Sequence, residues 1–418
     1  MGIKSTPENL KIIERARENL GWQCQSDEWC NAAGVSLATL GRFRGGNEVS
    51  KENFISICRA VGVNWRDVVD KTLPGILDPY KYWDGVPDVS TFHGRKKELI
   101  DLEECIVNRC CRVVALLGAA GIGKTALAIK LAEDNQFKFD YLIWYPLRYA
   151  SPLEQGLTDI LEFLYKKSNS NRPKNIQNIS DRISELMKFF RNYRCLLIID
   201  KLDTIFSSGE YAGSYQEECK NYCDLIERIG QEHHQSCLII TSRETNREIE
   251  HLEGINSPVQ EFRLRGLEEE AARKILEAKG LVFTKEELRT LNQYYKGNPK
   301  ILNMVASTII SVYNGRVEAF LDRITSVVTG DIEDFIGQQF DRLTDLEKNI
   351  LSQLVNQTQP ISLSRIQEIL SISQPELDKA IESLIRRSLI ERSDDNFTLD
   401  PVVIDYVKDR YKLKPEED

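Results

Sequence analysis

Hydrophobic and polar positions change their period several times along this chain, and each change predicts a different kind of element. Residues 8–20 (ENLKIIERARENL) place apolar side chains at helical spacing. A short apolar-periodic run from Ser26 is closed by Gly34, and a second run reaches Phe43 with Ser36 at its N-cap position. Two further helices are predicted over 51–61 and 65–70, so residues 1–72 read as an all-α segment with a helix-turn-helix pattern. Residues 73–88, rich in Pro, Gly and aromatics, read as a linker.

From residue 89 the pattern changes. Continuous apolar runs at 112–117, 141–144, 195–199 and 236–240 alternate with helical periods. Strands buried on both faces read this way, which predicts a parallel-sheet α/β domain over 89–265. An exposed loop is expected over 168–180. Residues 266–330 show only helix-period segments, at 267–278, 285–295, 301–312 and 317–324. Residues 331–418 read helix, helix, helix, hairpin, helix, the hairpin turning at Asp394-Asp395-Asn396. That order predicts a winged helix, followed by a solvated tail at 412–418. The fold class is therefore multidomain α/β: an all-α helix-turn-helix module, a parallel-sheet α/β domain, a helical domain and a C-terminal winged helix.

Chemistry concentrates where the first buried strand ends. Gly118-Ala119-Ala120-Gly121-Ile122-Gly123-Lys124-Thr125 matches G-x-x-x-x-G-K-[ST] in full, and the helical run opening at Ala126 follows it. Glycines let backbone wrap a phosphate chain, and a helix start adds N–H groups and positive dipole. A chance glycine turn with a stray lysine would lack the strand before and the helix after. Lys124 is expected at the β- and γ-phosphates and Thr125 on Mg²⁺. Asp200, ending the run CLLIID, stands where a parallel sheet presents an acid to Mg²⁺. Arg243, after the run LIITS, is placed to reach a γ-phosphate. Lys124, Asp200 and Arg243 are the candidate catalytic groups, and Thr125 and Asp200 the candidate metal ligands. If the N-terminal module binds DNA, Ser36, Thr39, Arg42 and Arg44 are the contact candidates. Its alternative is a helical adaptor that packs on a partner or on the rest of the chain.

Charge narrows the choice. The net charge of −9 argues against a wholly basic nucleic-acid or anionic-membrane surface. Residues 1–71 hold 10 basic and 9 acidic side chains, so any DNA attraction is local. No signal core or membrane-length apolar segment is read, and a cytoplasmic protein is expected. Ten cysteines and four histidines, without zinc-ligand spacing, predict reduced thiols rather than disulfides or zinc.

Phe92-His93-Gly94-Arg95-x-x-Glu98, the phosphate loop, LLIID at 196–200, LIITSR at 238–243 and Gly297-Asn298-Pro299-Lys300-Ile301-Leu302 occur in that order. The series resembles the NB-ARC class of STAND signalling ATPases over roughly 89–410. The N-terminal segment is similar to the helix-turn-helix module that precedes such domains in many bacterial, notably cyanobacterial, proteins. The resemblance implies ATP or ADP with Mg²⁺, Val89 and Arg95 bordering the base, and Pro299 touching adenine or ribose. It implies a switch, off with ADP and on with ATP, that can self-oligomerise and present the N-terminal helices, with transcriptional regulation as output. An adaptor with mainly structural ADP is the rival.

Two departures stand out. Lys201 replaces the acid or asparagine usual after the Mg²⁺-associated aspartate, so slow ATPase activity at most is expected, with Asp203 as a partial substitute. Asp400 stands where relatives place a histidine against the ADP β-phosphate. No internal repeat is read, so the sensor that relatives append is expected to be absent or supplied by another protein.

Overall fold

The computed structural model describes residues 2–23, 27–70, 78–147, 151–168, 170–173, 176–322, 330–355, 361–393 and 396–411. Ser26, residues 73–77 of the expected linker, part of the expected 168–180 loop, Asp394-Asp395 and the 412–418 tail lie outside the described residues. The chain divides into two compact units, Met1–Tyr80 with Leu164–Arg172, and Lys81–Phe163 with Pro173–Asp418.

The first unit holds helices α1 (Pro7–Asn19), α2 (Asp27–Ala33), α3 (Leu37–Arg44), α4 (Lys51–Ala60) and α5 (Trp65–Val68). A two-residue antiparallel pair, β1 (Gly2–Ile3) and β2 (Val49–Ser50), joins them. Side-chain caps decide where the helices begin. Thr6 accepts from the Asn9 N–H, Ser36 from Thr39 and Ser50 from Asn53. Ile13, Trp29, Leu40, Phe43, Phe54 and Trp65 supply the core.

In the second unit the apolar runs form a six-stranded sheet. Its strands are β3 (Tyr80–Tyr82), β4 (Val113–Leu117), β5 (Tyr141–Pro146), β6 (Cys195–Asp200), β7 (Cys237–Ser242) and β8 (Val259–Arg263). They are ordered β3-β5-β6-β7-β4-β8, and β4 to β8 run parallel. Every residue of β4, β6 and β7 is buried, which is why each reads as an unbroken apolar run. Helices α6 (Lys96–Glu103), α7 (Lys124–Asp134), α8 (Leu153–Ser168), α9 (Ile179–Asn192), α10 (Asn221–Gln231) and α11 (Arg247–Leu252) alternate with the strands. Because β7 lies between β4 and β6, the phosphate loop, Arg243 and Asp200 leave adjacent strands on one sheet edge.

Helices α12 (Glu269–Ala278), α13 (Lys285–Tyr294), α14 (Pro299–Tyr313) and α15 (Val317–Leu321) follow. Then come α16 (Gly330–Phe340), α17 (Asp345–Val355), β9 (Ile361–Ser362), α18 (Leu363–Leu370), α19 (Gln374–Arg386), β10 (Ile390–Ser393), β11 (Asn396–Leu399) and α20 (Pro401–Tyr411). Buried apolar side chains run contiguously from Ala272 on α12 to Val407 on α20.

The structure corrects three expectations. Four helices, not three, precede the hairpin: Ser371 turns left-handed (φ 51°) after α18, and Ser373 with Glu376 builds a capping box that starts α19. The expected linker contains β3, and β8, not read at all, completes the sheet. The thiols are not all reduced, because Cys105 and Cys111 pair as a disulfide. A π-turn over Glu104–Asn108 and the left-handed Cys110 fold the chain back until the two Cα atoms are 5.5 Å apart.

Candidate functional site

Strand β4 delivers residues 118–123 to the sheet edge, and α7 begins at Lys124 with Gly123 (φ 102°) as its cap. Donors hold the carbonyls of this loop one after another. Lys124 Nζ donates to the Gly118 and Ala119 oxygens at 2.8 and 2.9 Å. Asn298 Nδ2 donates to Ala120 (2.8 Å), Lys300 N to Gly121 (3.4 Å), and Arg95 Nη2 to Ile122 (3.0 Å). With its carbonyls engaged, the loop keeps partial negative charge off the α7 N-terminus, where an anion is favoured. Gly121 adopts φ 74°, and a Cβ there would sit 2.7 Å from Lys300 Cβ and 3.0 Å from the Phe335 ring. Only glycine lets α14 and α16 approach this closely.

Asp200 closes the far side. Its Oδ1 accepts from Thr125 Oγ1 at 2.5 Å and from Thr241 Oγ1 at 2.6 Å. Burial raises its pKa, and the two hydroxyls oppose the rise. A hydroxyl and a carboxylate in direct contact are a hard-oxygen pair of the kind that takes Mg²⁺. Burial also brings the Lys124 ammonium down to about 8; Asp203 and Asp200 oppose that shift while Arg243 adds to it.

Arg243 Nε pairs with Asp203 Oδ2 at 2.5 Å, and its backbone N–H donates to Oδ1 at 3.0 Å. Arg342, just beyond α16, also reaches Asp203 (3.3 Å) and pairs with Glu244. Arg387 lies 3.4 Å from Glu244 and 3.2 Å from Glu347, which accepts from Ser383 Oγ at 2.6 Å. Burial disfavours the Asp203 carboxylate, yet Arg243 and Arg342 outweigh it and hold its pKa below the usual range. Three arginines and three acids thus bridge the sheet edge and the segment from α16 to α19.

These groups surround a cavity of about 500 Å³ lined by Val89, Gly121, Lys124, Thr125, Lys201, Asp203, Arg243, Lys300, Phe335 and Gln338 among others. Of the residues singled out in the sequence, Val89, Ala120, Gly121, Gly123, Lys124, Thr125, Ala126, Lys201, Asp203 and Arg243 line it. Asp200 stands one layer back, behind Thr125. Arg95, 7% exposed, supports the loop from outside the lining: it also donates to the Arg265 carbonyl and pairs with Glu98. Pro299 is packed on Gly123, 3.9 Å from where a Cβ would stand. Phe335 and Gln338 were not anticipated, and Lys300 stood in its motif without a role, since only tertiary packing brings them to the loop. Asp400 does not line the cavity. It caps α20, accepting from the Val402 N–H at 3.0 Å, and burial raises its pKa against the opposing charge of Lys296.

In the first unit, Ser36 caps α3 and Thr39 Oγ1 lies 3.0 Å from its hydroxyl. Arg42 donates to the Glu48 carbonyl (3.0 Å), and Arg44 pairs with Glu14 (2.6 Å). Among the described residues no helix is long and apolar enough to cross a membrane, and no cluster of His, Cys, Asp and Glu suits a metal ion.

The NACHT domain family matches residues 112–279. An uncharacterized WD repeat-containing protein of Nostoc sp. is 34% identical over 97% of this chain and 36% of its own length. The disease resistance-like protein DSC1 of Arabidopsis thaliana is 22% identical over 69% of this chain and 22% of its own. The chain thus spans about a third or less of these relatives. Among solved structures, the Walker-type ATPase of Pyrococcus abyssi shares the fold, with a TM-score of 0.54 at 16% identity over 79% of this chain and 98% of that one. Motif, sheet order and family match agree: residues 112–279 are similar to the NACHT domain family and have the α/β fold of a P-loop NTPase.

Proposed function

We propose that the chain is a nucleotide-dependent signalling switch, off with ADP and on with ATP, each held with Mg²⁺. The observation that carries this reading is the joining of phosphate loop, α14 and α16 around one cavity whose acid, Asp203, also holds Arg342. A bound triphosphate supplies a terminal negative charge at the sheet edge. Lys124 holds the β- and γ-phosphates, Thr125 and Asp200 hold the metal, and Arg243 turns from Asp203 to the γ-phosphate. Asp203 lines the same cavity, so its carboxylate then faces like charge. Movement of Asp203, or of the α16–α19 segment bonded to it, relieves that repulsion. A ligand shifts such an equilibrium only by its difference in contacts, and the γ-phosphate is that difference. Released segments are then free to self-associate.

The output is the N-terminal helix-turn-helix, acting on transcription by binding DNA through Ser36, Thr39, Arg42 and Arg44, in a cytoplasmic protein. The C-terminal hairpin and its helices serve as a winged helix that closes the off state. Hydrolysis is slow, because Lys201 stands where an acid would orient water. One observation favours the rival adaptor reading, in which ADP is structural and an effector protein is recruited. Arg42 and Arg44 are both engaged within their own unit.

The test is thermal melting of the full chain with Mg-ADP and with Mg-ATP. Both are expected to raise the Tm, by about 4 °C or more at a hundredfold excess over Kd. Lys124→Ala is expected to abolish both shifts. Absence of any shift in the unsubstituted protein sinks the switch.

A further inference from the structure

The positive charge of the cavity exceeds what its own acids can balance. Lys124 and Arg243 face Asp203, which Arg342 shares. Asp88, the other acid in the lining, accepts from the Ser90 N–H and hydroxyl, each at 2.8 Å. Two more cations, Lys201 and Lys300, line the same space. Among the described residues neither is held in an ion pair at contact distance, although the charge of Lys201 opposes the rise in the pKa of the neighbouring Asp200.

Both are fixed at their bases. Lys201 leaves β6 in the left-handed region (φ 62°), and its backbone N–H donates to Thr241 Oγ1 at 2.9 Å, so it projects from the strand end that carries Asp200. Lys300 opens α14 against Gly121, and its ammonium lies 4.2 Å from the centroid of the Phe335 ring. The ring face partly offsets that charge. Burial lowers the Lys300 pKa and the charge of Lys201 lowers it further. Two ammonium groups brought to one cavity from opposite elements, neither in a contact ion pair among the described residues, repel each other, and an anion between them relieves that repulsion.

We infer that Lys201 and Lys300 form a second cation pair that grips the terminal phosphate and sets a preference for nucleoside triphosphate over diphosphate. The inference rests on the nucleotide-switch reading and adds the residues that tell the two ligands apart. Lys300 belongs to α14, outside the phosphate loop, so the grip also reports phosphate number to the helices behind it. At Lys201 a cation binds phosphate in the place where an acid would activate water.

Displacement of a fluorescent ADP analogue from the full chain, by Mg-ADP and by the Mg-bound β,γ-imido analogue of ATP, tests this. Lys300→Met is expected to weaken the triphosphate analogue about tenfold, as for loss of one charge-assisted contact, and ADP less than about twofold. Lys201→Met is expected to do the same, and Lys300→Arg to restore the preference. Equal loss for both ligands overturns the inference and leaves Lys300 a packing residue over Phe335. Unchanged affinities for both overturn it as well. If the unsubstituted protein takes up neither ligand, the switch reading itself fails, an outcome distinct from the other two.

Discussion

At the scale of single residues the site is set by how little water reaches its charges. Lys124 is 8% exposed and its ammonium titrates at about 8. On the proposed reading, phosphate oxygens replace carbonyls as its partners when nucleotide binds, and their charge raises that pKa. Between pH 8 and the raised value, free protein lacks a proton that the complex holds. Binding must then take up as much as one proton, and affinity must fall as pH rises through 8. Titration calorimetry at pH 8.5 in buffers of different ionisation heat is expected to show this uptake, and at pH 6.5 almost none. Equal heats across buffers at pH 8.5 would mean that Lys124 stays charged throughout.

At the scale of elements, the proposed switch turns on the clasp from the sheet edge to α16–α19. Arg342 holds two buried acids, Asp203 and Glu244, which are 3% and 2% exposed. Removing Arg342 leaves Asp203 to Arg243 and Glu244 to Arg387, each short of one charged contact, at a cost of about 2 kcal/mol. Arg342→Ala is therefore expected to lower the Tm in Mg-ADP and to speed hydrogen exchange in 330–411 while sparing β4 to β7. Uniform exchange across both regions would show that the clasp does not hold the segment shut.

How much of this was legible follows from where each signal lies in the chain. The phosphate loop, Asp200 and Arg243 were readable because each sits at the end of a strand buried on both faces. Strand β8 was not: at the sheet margin, with Gln260, Glu261 and Phe262 half-buried and Arg263 exposed, it lacks an apolar run. The break between α18 and α19 depends on one left-handed serine, which periodicity does not register. Arg342, Phe335 and Gln338 lie more than 200 residues beyond the loop, and their types at that distance announce nothing. Asp400 reads in sequence as a failed phosphate contact, whereas in the fold it is an ordinary helix cap.

At the scale of the whole molecule, the proposed switch raises the question of what the first unit meets in its ATP state. A net charge of −9 repels a polyanion at long range, and residues 1–71 add only +1. DNA binding must then come from a few cations on and near α3. With Arg42 and Arg44 as the phosphate contacts, affinity should fall with a log–log salt slope near −2. Each arginine must first leave an internal partner, the Glu48 carbonyl or Glu14, so binding is expected to be weak and confined to the ATP-loaded protein. Fluorescence anisotropy of a labelled duplex, titrated with full chain in Mg-ATP between about 50 and 200 mM salt, measures the slope. Arg42→Ala with Arg44→Ala should flatten it to near zero. If the unsubstituted chain gives no salt-dependent signal with either nucleotide, the intact Arg44–Glu14 pair is the resting use of that arginine. The module then acts as an adaptor, with α2 and α3 offered to a protein.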